Sequence, residues 1–162
     1  MKKTSSTSST LDLEVLKQFR VIFKSVRKHF SLIEEQAGVS GAQLWALHAI
    51  ASSPGLRVTE LARAMSVHQS TASNLVEKLV ELSYVRREKS LEDSRAILLF
   101  VTPQGADQLS QAPGPVRGIL PDALEKLPDE VLVELNRNLS LLLAQMSDQN
   151  LSDGSTPLSD IK

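Results

Sequence analysis

The sequence contains no cysteine, and only 4% of its 162 residues are aromatic. Without thiols it can form no disulfide, no thiolate metal site, no cysteine nucleophile and no switch based on thiol oxidation. No apolar run approaches the roughly 18 to 20 residues of a membrane span. Residues 1–10 carry two lysines followed by Ser and Thr where a signal peptide would place an apolar stretch. A soluble, cytoplasmic protein with no membrane partner is therefore expected. An excess of charge is lacking too, since 18 Lys+Arg face 19 Asp+Glu for a formal net charge of −1. That balance argues against a polyanionic partner only if the charges are evenly spread. They are not: residues 1–95 hold 14 cations and 10 carboxylates, and residues 96–162 hold 4 and 9. An uneven solvated surface and an anionic partner account for this split equally well.

Signs of catalysis are missing as well. His29, His48 and His68 lie about 20 residues apart on separate predicted helices, without the spacing of metal ligands. No phosphate-cradling glycine loop occurs, and Ser25-Val26-Arg27-Lys28 matches a nucleophile spacing without its companion motifs. No catalytic residue, metal or cofactor is expected, and the chain reads as a non-enzyme.

The polar ends, residues 1–10 and 147–162, read as disordered tails around one domain over 11–146. From Leu11 to about Gln36, apolar residues at Leu16, Phe19, Phe23, Val26, Phe30 and Ile33 alternate steps of three and four, ending at Gly38. That is a helix with a coiled-coil-like seam. Leu132, Leu135, Leu139, Leu142 and Met146 repeat the steps after Pro128-Asp129-Glu130, a favourable first turn. Each seam alone reads as an ordinary core-facing helix. Two of them, at opposite ends of a middle able to fold by itself, predict a dimerisation region built from helices 11–36 and 103–146. The latter is bent near Pro113-Gly114-Pro115.

In the middle, residues 41–52 place Leu44, Leu47, His48 and Ala51 on one helical face, stopped by Pro54-Gly55. A short helix from about Val58 to Met65, the turn Ser66-Val67-His68, and a helix from about Gln69 to Leu82 follow. The last of these buries Ala72, Leu75, Val76 and Leu79. Two helices joined by a three-residue turn, with a polar second helix, form a helix-turn-helix over about 58–82. The polar side carries His68, Gln69, Ser70, Thr71, Ser73, Asn74 and Lys78, groups of the size that touch base edges and phosphates. A solvated polar face is the plainer reading. Then the period changes: Tyr84–Lys89 and Ala96–Val101 flank a polar turn, a hairpin over about 84–101. It bears Arg86, Arg87, Lys89 and Arg95, a narrow basic finger able to reach a backbone or a minor groove. Asp93 stands two residues before Arg95, where its carboxylate can hold the guanidinium in one rotamer.

These features resemble the MarR family of bacterial winged helix-turn-helix regulators. The matching stretches are VTELARAMSV, HQSTASNLVEKLVELSYV and Asp93-Ser94-Arg95-Ala96-Ile97-Leu98-Leu99-Phe100-Val101-Thr102. The last is similar to the family's wing signature of Asp, any residue, Arg, an apolar strand, an apolar residue and Thr. The resemblance spans roughly Leu11 to Met146. It implies a mainly α fold with a small β-hairpin wing, and a homodimer paired through its N- and C-terminal helices. It also implies a helix from Gln69 reading the major groove, and Arg95, oriented by Asp93, contacting the minor groove. Ser66 departs from the glycine common in the turn.

The function expected is a sequence-specific, homodimeric transcriptional repressor of a pseudo-palindromic double-stranded operator, released by a small aromatic effector. Phe19, Arg20, Phe23, Phe30, Trp45 and His48 form the candidate effector pocket, an aromatic and cationic mix suited to an anionic ligand. The alternative is a helical dimer that binds no DNA and serves as a protein-interaction module.

Overall fold

The computed structural model describes residues 5–146 and 151–161. Helix α1 spans Ser5–Ala37, α2 Gly41–Ser52, α3 Val58–Met65 and α4 Gln69–Glu81. Strands β1 (Val85–Lys89) and β2 (Ile97–Val101) follow, then α5 (Pro103–Gln111), α6 (Ile119–Glu125) and α7 (Asp129–Gln145). Two 3-10 turns, Leu151–Ser155 and Leu158–Asp160, complete the described chain. The mainly α fold with a β-hairpin wing is thus present, and among the described residues no helix is long and apolar enough to cross a membrane.

Both expected tails need correction where they are described. Residues 5–10 belong to α1. No Pro or Gly interrupts the chain before Gly38, and Ser and Thr lower helix propensity without breaking a helix. At the other end, the 3-10 turns fold back on the helices: Pro157 is buried, and the Ala42 N–H donates to Ser159 Oγ at 3.1 Å. Proline loses little entropy on ordering, so one buried Pro and one bonded Ser hold a segment whose overall composition is polar. The rest of the tail expectation, residues 1–4, 147–150 and 162, lies outside the described residues.

Helix α2 is the centre of the molecule. Ser40 caps it through a box, its Oγ accepting from the Gln43 N–H while Gln43 Oε1 accepts from the Ser40 N–H. It packs against α1, α3, α4, α5 and β2, so it buries Ala42, Leu44, Ala46, Leu47 and Ile50 all round. The single expected face does not hold: Ala51 is exposed and His48 half-buried. The main core joins Leu47 and Ile50 to Leu61 and Met65 of α3, Leu75, Val76 and Leu79 of α4, Val85 and Leu99. A second cluster, Ile33, Val39 and Leu44, ties α1 to this lobe. Buried His29 sits there with Nε2 3.0 Å from the Pro115 carbonyl oxygen, a structural partner.

The strands pair antiparallel from Val85↔Val101 to Lys89↔Ile97. A third edge comes from Leu56, bridged to Leu99, which anchors the wing on the core. Beyond β2, Gly105 lies against the Tyr84 carbonyl so closely that a Cβ there would collide with the backbone. A helix can start at that point only with glycine in the third position.

Candidate nucleic-acid interface

The turn between α3 and α4 is tight because Ser66 adopts the left-handed conformation, φ 54° and ψ 42°. Its N–H and that of Val67 cap the end of α3 by bonding the carbonyls of Arg63 and Ala62. Serine accepts this strain where glycine would feel none. The following α4 buries Ala72, Leu75, Val76 and Leu79, the expected face. Of the expected readers, His68, Gln69, Ser70, Asn74 and Lys78 are exposed, whereas Thr71 and Ser73 are half-buried at the edge of the packed face. His68 is the N-cap residue, yet its side chain makes no capping bond. The N–H groups that every helix leaves open in its first turn are therefore not closed by a cap here.

Lys78 is paired in the free chain, its Nζ 2.9 Å from Glu81 Oε2. That hydrogen bond and the Glu81 charge raise the Lys78 pKa above the ordinary lysine value, with a smaller contribution from Glu77. The ammonium is thus fully charged at neutral pH.

In the wing, Arg86 is ion-paired to Glu88, and its guanidinium lies 4.8 Å from the centre of the Phe100 ring, its cross-strand neighbour. Arg87, Lys89 and Arg95 are exposed and take part in no ion pair among the described residues. The tip is ordered by its own polar groups. Ser90 Oγ accepts from the N–H groups of Glu92 and Asp93, and the Ser90 N–H donates to the Ala96 carbonyl. Asp93 Oδ1 accepts from the Arg95 N–H at 3.0 Å. This corrects the expected contact with the guanidinium. In a tight turn the carboxylate of residue i meets the N–H of residue i+2, so Asp93 shapes the backbone that presents Arg95 and leaves its side chain outward.

Two residues here carry more than the sequence reading assigned to them. Leu91, at the tip, is fully exposed at 104%; a lone Leu inside the polar stretch Ser90–Ser94 was its only signal. Thr102 joins three elements: its Oγ1 donates to the Ser83 carbonyl at 2.7 Å and accepts from the Gly105 N–H at 3.0 Å. Its signal was Thr before Pro, a helix-opening pair.

The six expected effector residues do not surround one cavity. Phe19 and Phe23 stack with ring centres 6.2 Å apart. They line a groove of about 460 Å3 with Leu120 and Leu124 of α6 and Leu135 and Leu139 of α7. Arg20 and Phe23 face a separate cavity of about 570 Å3 beside the C-terminal segment. Phe30 and Trp45 pack around Gly41 and Pro157 with only about 20 Å3 of free space, and the Arg117 guanidinium lies 5.6 Å from the centre of the Trp45 ring. His48 lines none of these. The physical reason is axial distance: eleven residues of helix separate Phe19 from Phe30 by about 16 Å. Among the described residues no three His, Asp or Glu gather as a metal site.

Comparison with known proteins gives one consistent picture. A model of the MarR family matches residues 37–96, from the end of α1 to the base of β2. The HTH-type transcriptional repressor MdtR of Bacillus subtilis is 23% identical over 158 residues, covering 95% of this chain and 99% of that protein. A crystal structure of MarR superposes with a TM-score of 0.51 at 26% identity, over 80% of this chain and 95% of that one. A mutant MarR from E. coli complexed with operator DNA gives a TM-score of 0.54 at 22% identity, over 80% of this chain and 96% of that one. The last of these speaks to the shared fold alone.

Proposed function

We propose that this chain, which is similar to winged helix-turn-helix regulators of the MarR family, is a homodimeric, DNA-binding transcriptional repressor released by a small ligand. The observation that carries the DNA-binding reading is the uncapped start of α4. Exposed Gln69, Ser70, Asn74 and Lys78 stand on the same lobe as the outward cations of the wing. Open N–H groups and cations take phosphates, which fix register, while Asn and Gln read base edges in the major groove. Arg95 at the wing tip reaches the adjacent minor groove, and His68, Thr71, Ser73, Arg86, Lys89 and Asp93 complete or support the surface.

The pairing of two copies is supported by α7. Although Leu132, Leu135, Leu139 and Leu142 repeat along it, the helix has no buried residue. Leu11, Leu16 and Phe23 of α1 are likewise 60%, 43% and 63% exposed. A second copy laid on α1 and α7 covers these faces and sets two α4 helices on one side of a duplex. The operator is then pseudo-palindromic, with half-sites about 10 base pairs apart.

The test is retardation of duplexes, including DNA from beside the chain's own gene, at rising salt. Phosphate contacts release counterions, so affinity falls steeply between about 50 and 200 mM salt. A chain that retards no duplex at low salt is not a DNA-binding regulator, and the protein-interaction dimer then takes its place.

A further inference from the structure

Leu91 stands apart from the other apolar side chains that reach the surface. It is 104% exposed, whereas no other exposed large hydrophobic among the described residues exceeds the 68% of Val133 on α7. The exposed apolar residues of α1 and α7 lie on the helices proposed to pair, but Leu91 lies at the far end of the hairpin, beyond the last strand pair Lys89↔Ile97. The turn that carries it is held by its own bonds. The Ser90 N–H donates to the Ala96 carbonyl, Ser90 Oγ accepts from the Glu92 and Asp93 N–H groups, and the Ala96 N–H donates to the Asp93 carbonyl. The backbone on both sides of Leu91 is therefore fixed, and presenting this side chain to a partner costs little further ordering.

Charge does not account for the tip. Lys89 and Arg95 are matched there by Glu92 and Asp93, so the cations and carboxylates of residues 89–95 cancel. The outward cations draw the finger to a groove lined by phosphates, while the same phosphates repel the two carboxylates at its end. A tip without net charge enters a minor groove only if a group on it gains by leaving water, and Leu91 is that group. We propose that Leu91 is an apolar wedge that enters the operator from the minor groove and inserts between two stacked base pairs, partly unstacking them and bending the duplex. This rests on the reading of the chain as a DNA-binding regulator. Opening a step costs free energy of the same order as burying one leucine returns, so insertion is favoured where a step opens easily. Pyrimidine-purine steps, TA and CA/TG, do so. Leu91 thereby selects such a step in each half-site without a hydrogen bond to any base edge.

The full-length chain is titrated into the duplex from beside its own gene that it retards, with 2-aminopurine replacing single adenines across the flanks. The wild-type chain is expected to raise 2-aminopurine fluorescence about two-fold or more at one step per half-site, and to bend the duplex by about 20° or more in a circular-permutation assay. Leu91→Ala should abolish both signals and weaken retardation about five-fold or more, with dimer mass and thermal midpoint unchanged, and Leu91→Met, which keeps a long apolar side chain, should restore them. Replacing the responsive step by GG should weaken the wild type about five-fold and Leu91→Ala less than about two-fold. No fluorescence rise with the wild-type chain on a duplex it retards overturns the wedge, whatever Leu91→Ala does to affinity, and leaves the regulator reading standing. A rise that survives in Leu91→Ala assigns the unstacking to another residue and overturns it too. A changed dimer mass in Leu91→Ala places Leu91 in the contact between copies and overturns its role on DNA. A chain that retards no duplex at low salt takes the regulator reading and the wedge down together.

Discussion

Replacing Thr102 by valine tests what its hydroxyl contributes at the foot of the wing. Valine keeps the β-branch and the volume, and removes both hydroxyl bonds, to the Ser83 carbonyl and from the Gly105 N–H. The second of these is the N-cap of α5, and losing such a cap costs about 1 kcal/mol. The first is a neutral hydrogen bond, also worth about 1 kcal/mol net. Both end at one half-buried oxygen, so about 2 kcal/mol is an upper bound on the loss. In a chain of this size each kcal/mol moves the thermal midpoint by roughly 2 to 4 °C, so Thr102→Val should melt lower by no more than about 4 to 8 °C. Urea unfolding followed by circular dichroism gives the free energy directly, with Thr102→Ser as the control, because serine keeps donor and acceptor. A valine variant within about 0.5 kcal/mol of the serine variant would refute the reasoning, since the hydroxyl would then carry no net weight.

Arg95→Ala should weaken duplex retardation at least ten-fold while dimer mass and helicity stay unchanged; equal affinity removes the wing tip from the interface. Lys78→Ala should lower affinity evenly across sequences and reduce the salt slope by about 1, whereas Asn74→Ala should relax preference at one base position by roughly 1 to 3 kcal/mol. Glu81→Gln frees Lys78 from its 2.9 Å ion pair and should strengthen binding; weaker binding would mean that the pair positions the lysine instead. Because Glu81 raises the Lys78 pKa, its charge is lost only as pH rises through that elevated value. Lys78 should therefore cause no fall in duplex affinity between about pH 7 and 9, as a retardation series at fixed ionic strength would check.

The elements that could be read in advance are those whose boundaries are local. Gly38, Pro54-Gly55 and Pro103 end or open helices wherever they stand, and the 3.6-residue spacing of Ala72, Leu75, Val76 and Leu79 names the buried face of α4 without reference to any partner. What could not be read depends on distance through space. Asp93 and Arg95 are two apart in any conformation, but only the turn decides that the carboxylate meets an N–H and not a guanidinium. Phe19 and Phe30 share a seam, and the same periodicity that puts them on one face keeps them too far apart along the axis to share a ligand. Composition failed at the C-terminus for a related reason, because averaging over a polar segment hides Pro157 and Ser159, whose docking requires α2 to be already in place. Helix α7 belongs to the same class from the other side. Its leucines predict a buried stripe, and in a single chain Leu132 and Leu135 are only half-buried while Leu139 and Leu142 stay exposed. In the proposed dimer this is no discrepancy: what the described residues leave exposed along the seam is apolar surface that a second copy would cover.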